Sequence, residues 1–121
     1  MPPTSYPIVF GAMTAIDLVW LGLTAKALYA PAMDHLSAPS PNWLAAAVCW
    51  AVLALCLKLL VLDVSGTRKE AMMRAAILGF SVYATYNLTN LATLRDWSQT
   101  MSLVDTAWGA SLLASTTWLV Y

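Results

Sequence analysis

The chain has 121 residues, 60% of them hydrophobic and 10% charged, with a formal net charge of zero. A soluble domain carries about 25% charged residues, so this composition cannot cover a water-soluble globule. Six basic residues against six acidic ones leave no excess for nucleic acid or an anionic surface, and the length fits one domain.

The first apolar block covers residues 6–30. At about 1.5 Å per residue it can cross a hydrocarbon core of about 30 Å. Pro7 suits a first helical turn, and Pro31 is expected to stop the helix just after Tyr29. Residues 1–5 lack a basic n-region and Asp17 sits inside the block, which argues against a cleavable signal peptide. Lys26 can snorkel to the headgroups. Residues 31–42 hold three prolines and no periodicity, and read as a loop outside the membrane. His35, the only histidine, lies there beside Asp34; two adjacent ligands without a third do not make a metal site.

Residues 43–62 form the most apolar block. Cys49 and Cys56 share a helical face but stand about 10 Å apart along the axis, too far for a disulfide. They read as small buried residues, with no His or Cys partner at ligand spacing. Lys58 can reach the interface by snorkelling. Residues 63–70 are a polar turn around Gly66.

The third block, residues 71–94, begins at an anchoring Arg74 and runs through Gly79, which permits close helix contact. Its second half is the polar and aromatic YATYNLTNLATL. Residues 95–100 form a tight turn with Trp97 at interface depth, and residues 101–121 make the last block, ending with Trp118 and Tyr121.

Four apolar blocks with short links predict an all-α integral membrane protein, a four-transmembrane-helix up-down bundle in one domain. Its spans are about 6–30, 43–62, 71–94 and 101–121. Lys58, Arg68, Lys69 and Arg74 flank the central linker, against Lys26 and Arg95 on the other side. The bias puts the central linker and both termini in the cytoplasm.

At about 100° per residue, Gly79, Tyr83, Tyr86, Asn87, Asn90, Leu94 and Trp97 share one face of the third block. By the same spacing Asp105, Trp108, Gly109 and Leu112 share a face of the fourth, and Met13, Asp17, Trp20, Leu21 and Thr24 a face of the first. The two Asp-x-x-Trp devices, each with a nearby Gly (Gly22, Gly109), hint at internal symmetry. An intramembrane polar cluster of Asp17, Trp20, Tyr83, Tyr86, Asn87, Asn90, Asp105 and Trp108 follows, with Gly79 and Gly109 as helix contacts. Such groups either tie helices together, at about 0.6–2 kcal/mol each, or handle a ligand, proton or ion. No catalytic set accompanies them. There is no Gly-rich phosphate loop, no HExxH and no intramembrane histidine, and Ser81, Ser111 and Ser115 lack a His or Lys partner. The two aspartates lack the Gly-Asp setting of an aspartyl dyad. No metal or cofactor is expected.

YATYNLTNLATLRDW followed by VDTAWG resembles the signature of a family of small bacterial predicted membrane proteins, domain of unknown function 2177. The family pattern is Tyr-Asp-Leu-Thr-Asn, a Trp in the turn, then Asp-x-x-Trp-Gly. It corresponds here to Tyr86, Asn87, Leu88, Thr89, Asn90, Trp97, Asp105, Trp108 and Gly109. An early Asp-x-x-Trp-Leu matches Asp17, Trp20 and Leu21, whereas the second block departs from the aromatic-rich family pattern. Asn87 stands where the family usually has Asp, a change that a structural role survives better than a proton relay. The resemblance implies four spans, a bacterial inner-membrane location and no assigned activity. The expectation is a non-enzymatic accessory or assembly subunit, packed against a larger membrane complex, lipid or pigment. Its partners would be the bilayer and other membrane subunits or a second copy. The alternative is a proton- or cation-coupled carrier that uses Asp17 and Asp105, as an oligomer.

Overall fold

The computed structural model describes residues 4–121, and these are helical with no strand. Helix α1 is Tyr6–Thr24, with Pro7 in its first turn. A π turn at Ala25–Tyr29 carries it into α2, Ala30–Met33, and a 3-10 turn, Asp34–Leu36. Pro31 therefore does not end the helix. In the π turn the Ala30 N–H bonds to the Ala25 carbonyl, five residues back. The wider turn relieves the clash of a proline ring with the preceding turn, and Pro31 enters as a first-turn residue of α2, where its missing N–H costs nothing. The chain becomes extended only at Ser37.

Helix α3 is Trp43–Leu57 and continues through a second π turn, Lys58–Leu62. Asn42 caps it, its side chain accepting from the Ala45 N–H at 3.0 Å. The Lys58 ammonium runs along the helix to Asp63 at its end, 2.8 and 3.1 Å from the two carboxylate oxygens, because the π turn brings the two side chains together. Helix α4 is Arg68–Thr93. Thr67 Oγ1 accepts from the Glu70 N–H at 3.1 Å, and the Glu70 carboxylate accepts from the Gly66 N–H at 3.0 Å. That backbone bond, helped by Arg74, holds the Glu70 carboxyl below its usual range. Helix α5 is Gln99–Val120, capped by Ser98 Oγ accepting from the Met101 N–H at 3.0 Å. The α4–α5 turn closes through Asp96 at φ 58°, a left-handed conformation that Asp tolerates.

Helices α4 and α5 form the most extensive pair; α1 packs on both α5 and α3. The order across the molecule is thus α4, α5, α1, α3. Consecutive helices α3 and α4 meet chiefly where the π turn Lys58–Leu62 touches the start of α4. The α4–α5 pair is set by a four-residue repeat on α4: Ala71, Ala75 and Gly79 are buried, followed by Tyr83 and Asn87. A Cβ on Gly79 would run into the Gly109 backbone carbonyl, and one on Gly109 into the Tyr83 ring. Both positions need glycine for the backbones to approach this closely.

The polarity of the molecule is inverted. Asp17, Asn87, Ser102, Asp105, Thr116 and Thr117 are buried, while Val19, Leu23, Leu44, Ile77, Phe80 and Leu103 are exposed. Thr116 and Thr117 satisfy their hydroxyls on carbonyls four residues back, at 2.7 Å each. An apolar exterior of this extent suits lipid and not water. Tyr6–Leu36 and Trp43–Leu62 are long and apolar enough to cross a membrane. One end of the molecule gathers the central linker and the two ends of the described chain: the Tyr121 hydroxyl donates to the Ser65 carbonyl at 2.7 Å, and Thr4 Oγ1 donates to the Val120 carbonyl.

Candidate functional site

Asp17 lies on the buried face of α1 and accepts two hydrogen bonds. Trp108 Nε1 of α5 donates to Oδ1 at 2.9 Å, and Trp50 Nε1 of α3 donates to Oδ2 at 2.8 Å. Indole N–H groups only donate, so both Asp17 oxygens act as acceptors. Asp105 on α5 accepts from the Tyr29 hydroxyl at 2.6 Å and from Asn87 Nδ2 of α4 at 2.8 Å. Trp20 Nε1 donates to the Tyr29 oxygen at 3.0 Å. The Trp20 and Trp108 rings stack with centroids 4.3 Å apart and planes 5° apart, linking the two halves. Four helices thus share one network, and each carboxylate is held by neutral donors. Among the described residues neither has an ion-pair partner, and no group of three His, Cys, Asp or Glu side chains could hold a metal.

The other residues of the expected cluster are placed differently. Tyr83 is half-buried against Gly109. Tyr86 is 52% exposed and makes an edge contact with Trp97, at 5.8 Å and 83°. Asn90 is half-buried and bonds to neither carboxylate. Trp97, in the α4–α5 turn, is buried, and its indole N–H has no protein partner. Asn87 is fully enclosed: its amide N–H groups serve Asp105 and the Tyr83 carbonyl, while its own Oδ1 is unpartnered.

Tyr29 and Trp50 belong to the network and do not stand out in the sequence. On an unbroken α-helix Tyr29 falls about 120° from the face of Asp17. The π turn changes that phase. Trp50 sits in a block apolar all round, so no periodicity marks its inward face. The available signal is chemical: a buried indole N–H needs an acceptor, and few occur in such a chain.

Between α3 and α4, where the two helices diverge, a cleft of about 680 Å³ opens on the side of the molecule. Its floor is Asp17, Tyr29, Asp105 and Trp108; its walls include Cys49, Val52, Leu53 and Cys56 from α3 and Val82, Tyr83 and Tyr86 from α4. Cys49 is therefore exposed on the cleft wall and Cys56 half-buried in it, not packed in a core, and both are free thiols. The site combines mostly apolar walls with two hydrogen-bonded Asp side chains at its base.

No curated protein and no solved structure matches the chain. Residues 3–121 match the family described as predicted membrane proteins of unknown function, DUF2177, and the chain belongs to that family.

Proposed function

We propose that this membrane protein crosses the bilayer four times and works by association and not by catalysis, holding a hydrophobic molecule from the bilayer, a lipid or pigment, in the cleft between α3 and α4. The observation that carries the reading is the cleft itself: about 680 Å³, within the range of ligand sites, mostly apolar, with a few polar groups converging at its base. Helices α4 and α5 have 26 and 22 residues, about 39 and 33 Å, long enough to span beside the two more apolar helices. Their polar side chains turn largely inward or bond to their own helix. The shared end of the termini and linker carries Lys58, Arg68, Lys69 and Arg74, which favours the cytoplasmic side of a bacterial inner membrane for it. An accessory role beside a larger complex fits the same cleft, as the place where such a molecule is presented.

The test is native mass spectrometry of the protein released from membranes. The wild type should carry an adduct of a few hundred daltons or more. Val52→Trp, which fills the cleft, should lose it, while Val19→Trp on the outer face of α1 should keep it. Equal adducts in all three proteins would sink the reading.

A second reading is supported by Asp17 and Asp105 having no basic partner among the described residues. Carboxylates in such a setting suit a proton- or cation-coupled carrier, acting as an oligomer because four spans alone enclose little pathway.

A further inference from the structure

We propose that the cleft between α3 and α4 selects a lipophilic organic cation, a quaternary ammonium or phosphonium centre carrying apolar arms. The inference rests on the reading of the cleft as a ligand site and adds the charge and size of the occupant.

The charge follows from the lining. Asp17 and Asp105 sit on the cleft floor, and none of the lining residues is Lys, Arg or His. Each carboxylate is held by neutral N–H or O–H donors alone. Hydrogen bonds from neutral donors orient a carboxyl group but bring no opposite charge to it. An anion placed in the cleft meets like charge, and a phospholipid headgroup brings its phosphate against the same oxygens. A cation removes the imbalance.

The size follows from the geometry of those oxygens. A small metal ion is held by six or more oxygens, at least some of them carboxylate or carbonyl oxygens free to point at it, with water filling the rest. Here all four carboxylate oxygens already accept a directed hydrogen bond, and no third metal-binding side chain stands with them among the described residues. A bulky organic cation needs no such shell. It is attracted by charge at a distance and by aromatic faces, and Tyr83, Tyr86 and Trp108 line the same cavity. Its apolar arms match Val52, Leu53 and Val82 on the cleft walls.

The experiment uses two probes of nearly equal size and opposite charge, tetraphenylphosphonium and tetraphenylborate. Binding to the protein in phosphatidylcholine nanodiscs is measured by calorimetry, with empty discs subtracted. Tetraphenylphosphonium should bind at least about tenfold more tightly than tetraphenylborate, as expected of a close charge pair. Asp17→Asn and Asp105→Asn should each reduce that preference, with the helical circular dichroism unchanged, and Val52→Trp should abolish binding of both probes. Equal binding of the two probes, or tighter binding of the borate, would overturn the proposed charge selection and leave the cleft as a site for uncharged molecules. If neither probe binds and the purified protein also carries no adduct, the cleft reading itself fails with it.

Discussion

Asn87 donates its side-chain amide to Asp105 Oδ2 across 2.8 Å, a fully buried side-chain bond between α4 and α5. Its position follows from the packing below it. The repeat Ala71, Ala75, Gly79 brings α4 against α5 at Gly109, and two further four-residue steps put Asn87 opposite Asp105. The Asn87 Oδ1 is left without a partner. That free acceptor decides how the site responds to loss of the carboxylate.

Asp105→Asn is expected to be mild. The new amide oxygen still accepts from Tyr29, and rotation of the Asn87 amide lets its free Oδ1 accept from the new N–H group in exchange for its own bond to the Tyr83 carbonyl. The loss should be about 1 kcal/mol or less. Asp105→Leu leaves the Tyr29 and Asn87 donors unpaired in a dry interior and should cost about 2–3 kcal/mol. Unfolding by sodium dodecyl sulfate titration in mixed micelles separates the two; equal losses would show that the charge, not the hydrogen bonds, holds α4 to α5.

Gly79→Ala places a Cβ against the Gly109 carbonyl, which is backbone and cannot swing aside. The helices must part, at a cost of about 2 kcal/mol or more. Gly22→Ala has open space around its new Cβ and should stay within about 0.5 kcal/mol of wild type. The same titration measures both, and a harmless Gly79→Ala would mean that α4 and α5 are not this close.

Tyr29→Phe removes the hydroxyl that accepts from Trp20 and donates to Asp105. A loss of about 1–2 kcal/mol is expected, together with a change in near-ultraviolet circular dichroism from the Trp20–Trp108 stack. Tyr86→Phe, at an exposed position with no bond to Asp17 or Asp105, should change both much less. Identical behaviour of the two variants would remove Tyr29 from the site.

The shared end of the molecule gives a topological prediction. In a background with Cys49 and Cys56 replaced by Ser, Ser65→Cys should resist an impermeant thiol reagent added outside intact cells, and Ser37→Cys should react. The reverse pattern would invert the orientation drawn from the basic residues.

The sequence displays the helices well because the long apolar blocks are separated by polar links, and three of them start at a polar cap: Asn42, Thr67 and Ser98 each receive a backbone N–H from the first turn they precede. The 3–4 spacing also points to Asp17, Asn87, Asp105 and Trp108, polar groups that hydrocarbon would not tolerate unpaired. What it conceals has physical causes. The π turn at Ala25–Tyr29 breaks the phase on which a helical wheel depends, which hides Tyr29 and carries the helix past Pro31. The uniform apolarity of α3 hides Trp50. The cleft is hidden because a short linker suggests two helices in contact along their length, whereas α1 occupies the place beside α3 and leaves α3 and α4 apart above their joined ends.

The gap between α3 and α4, on the function proposed above, holds a small hydrophobic molecule taken from the bilayer. A photoreactive phenylalanine analogue at Val82, on the cleft wall, tests it most directly, with the same analogue at Leu23 on the outer face of α1 as the reference. After illumination in native membranes, the account predicts a discrete small-molecule adduct at position 82 that Val52→Trp eliminates, and only non-specific lipid products at position 23. Cross-linking of position 82 to α3 of the same chain, or the same products at both positions, would contradict it.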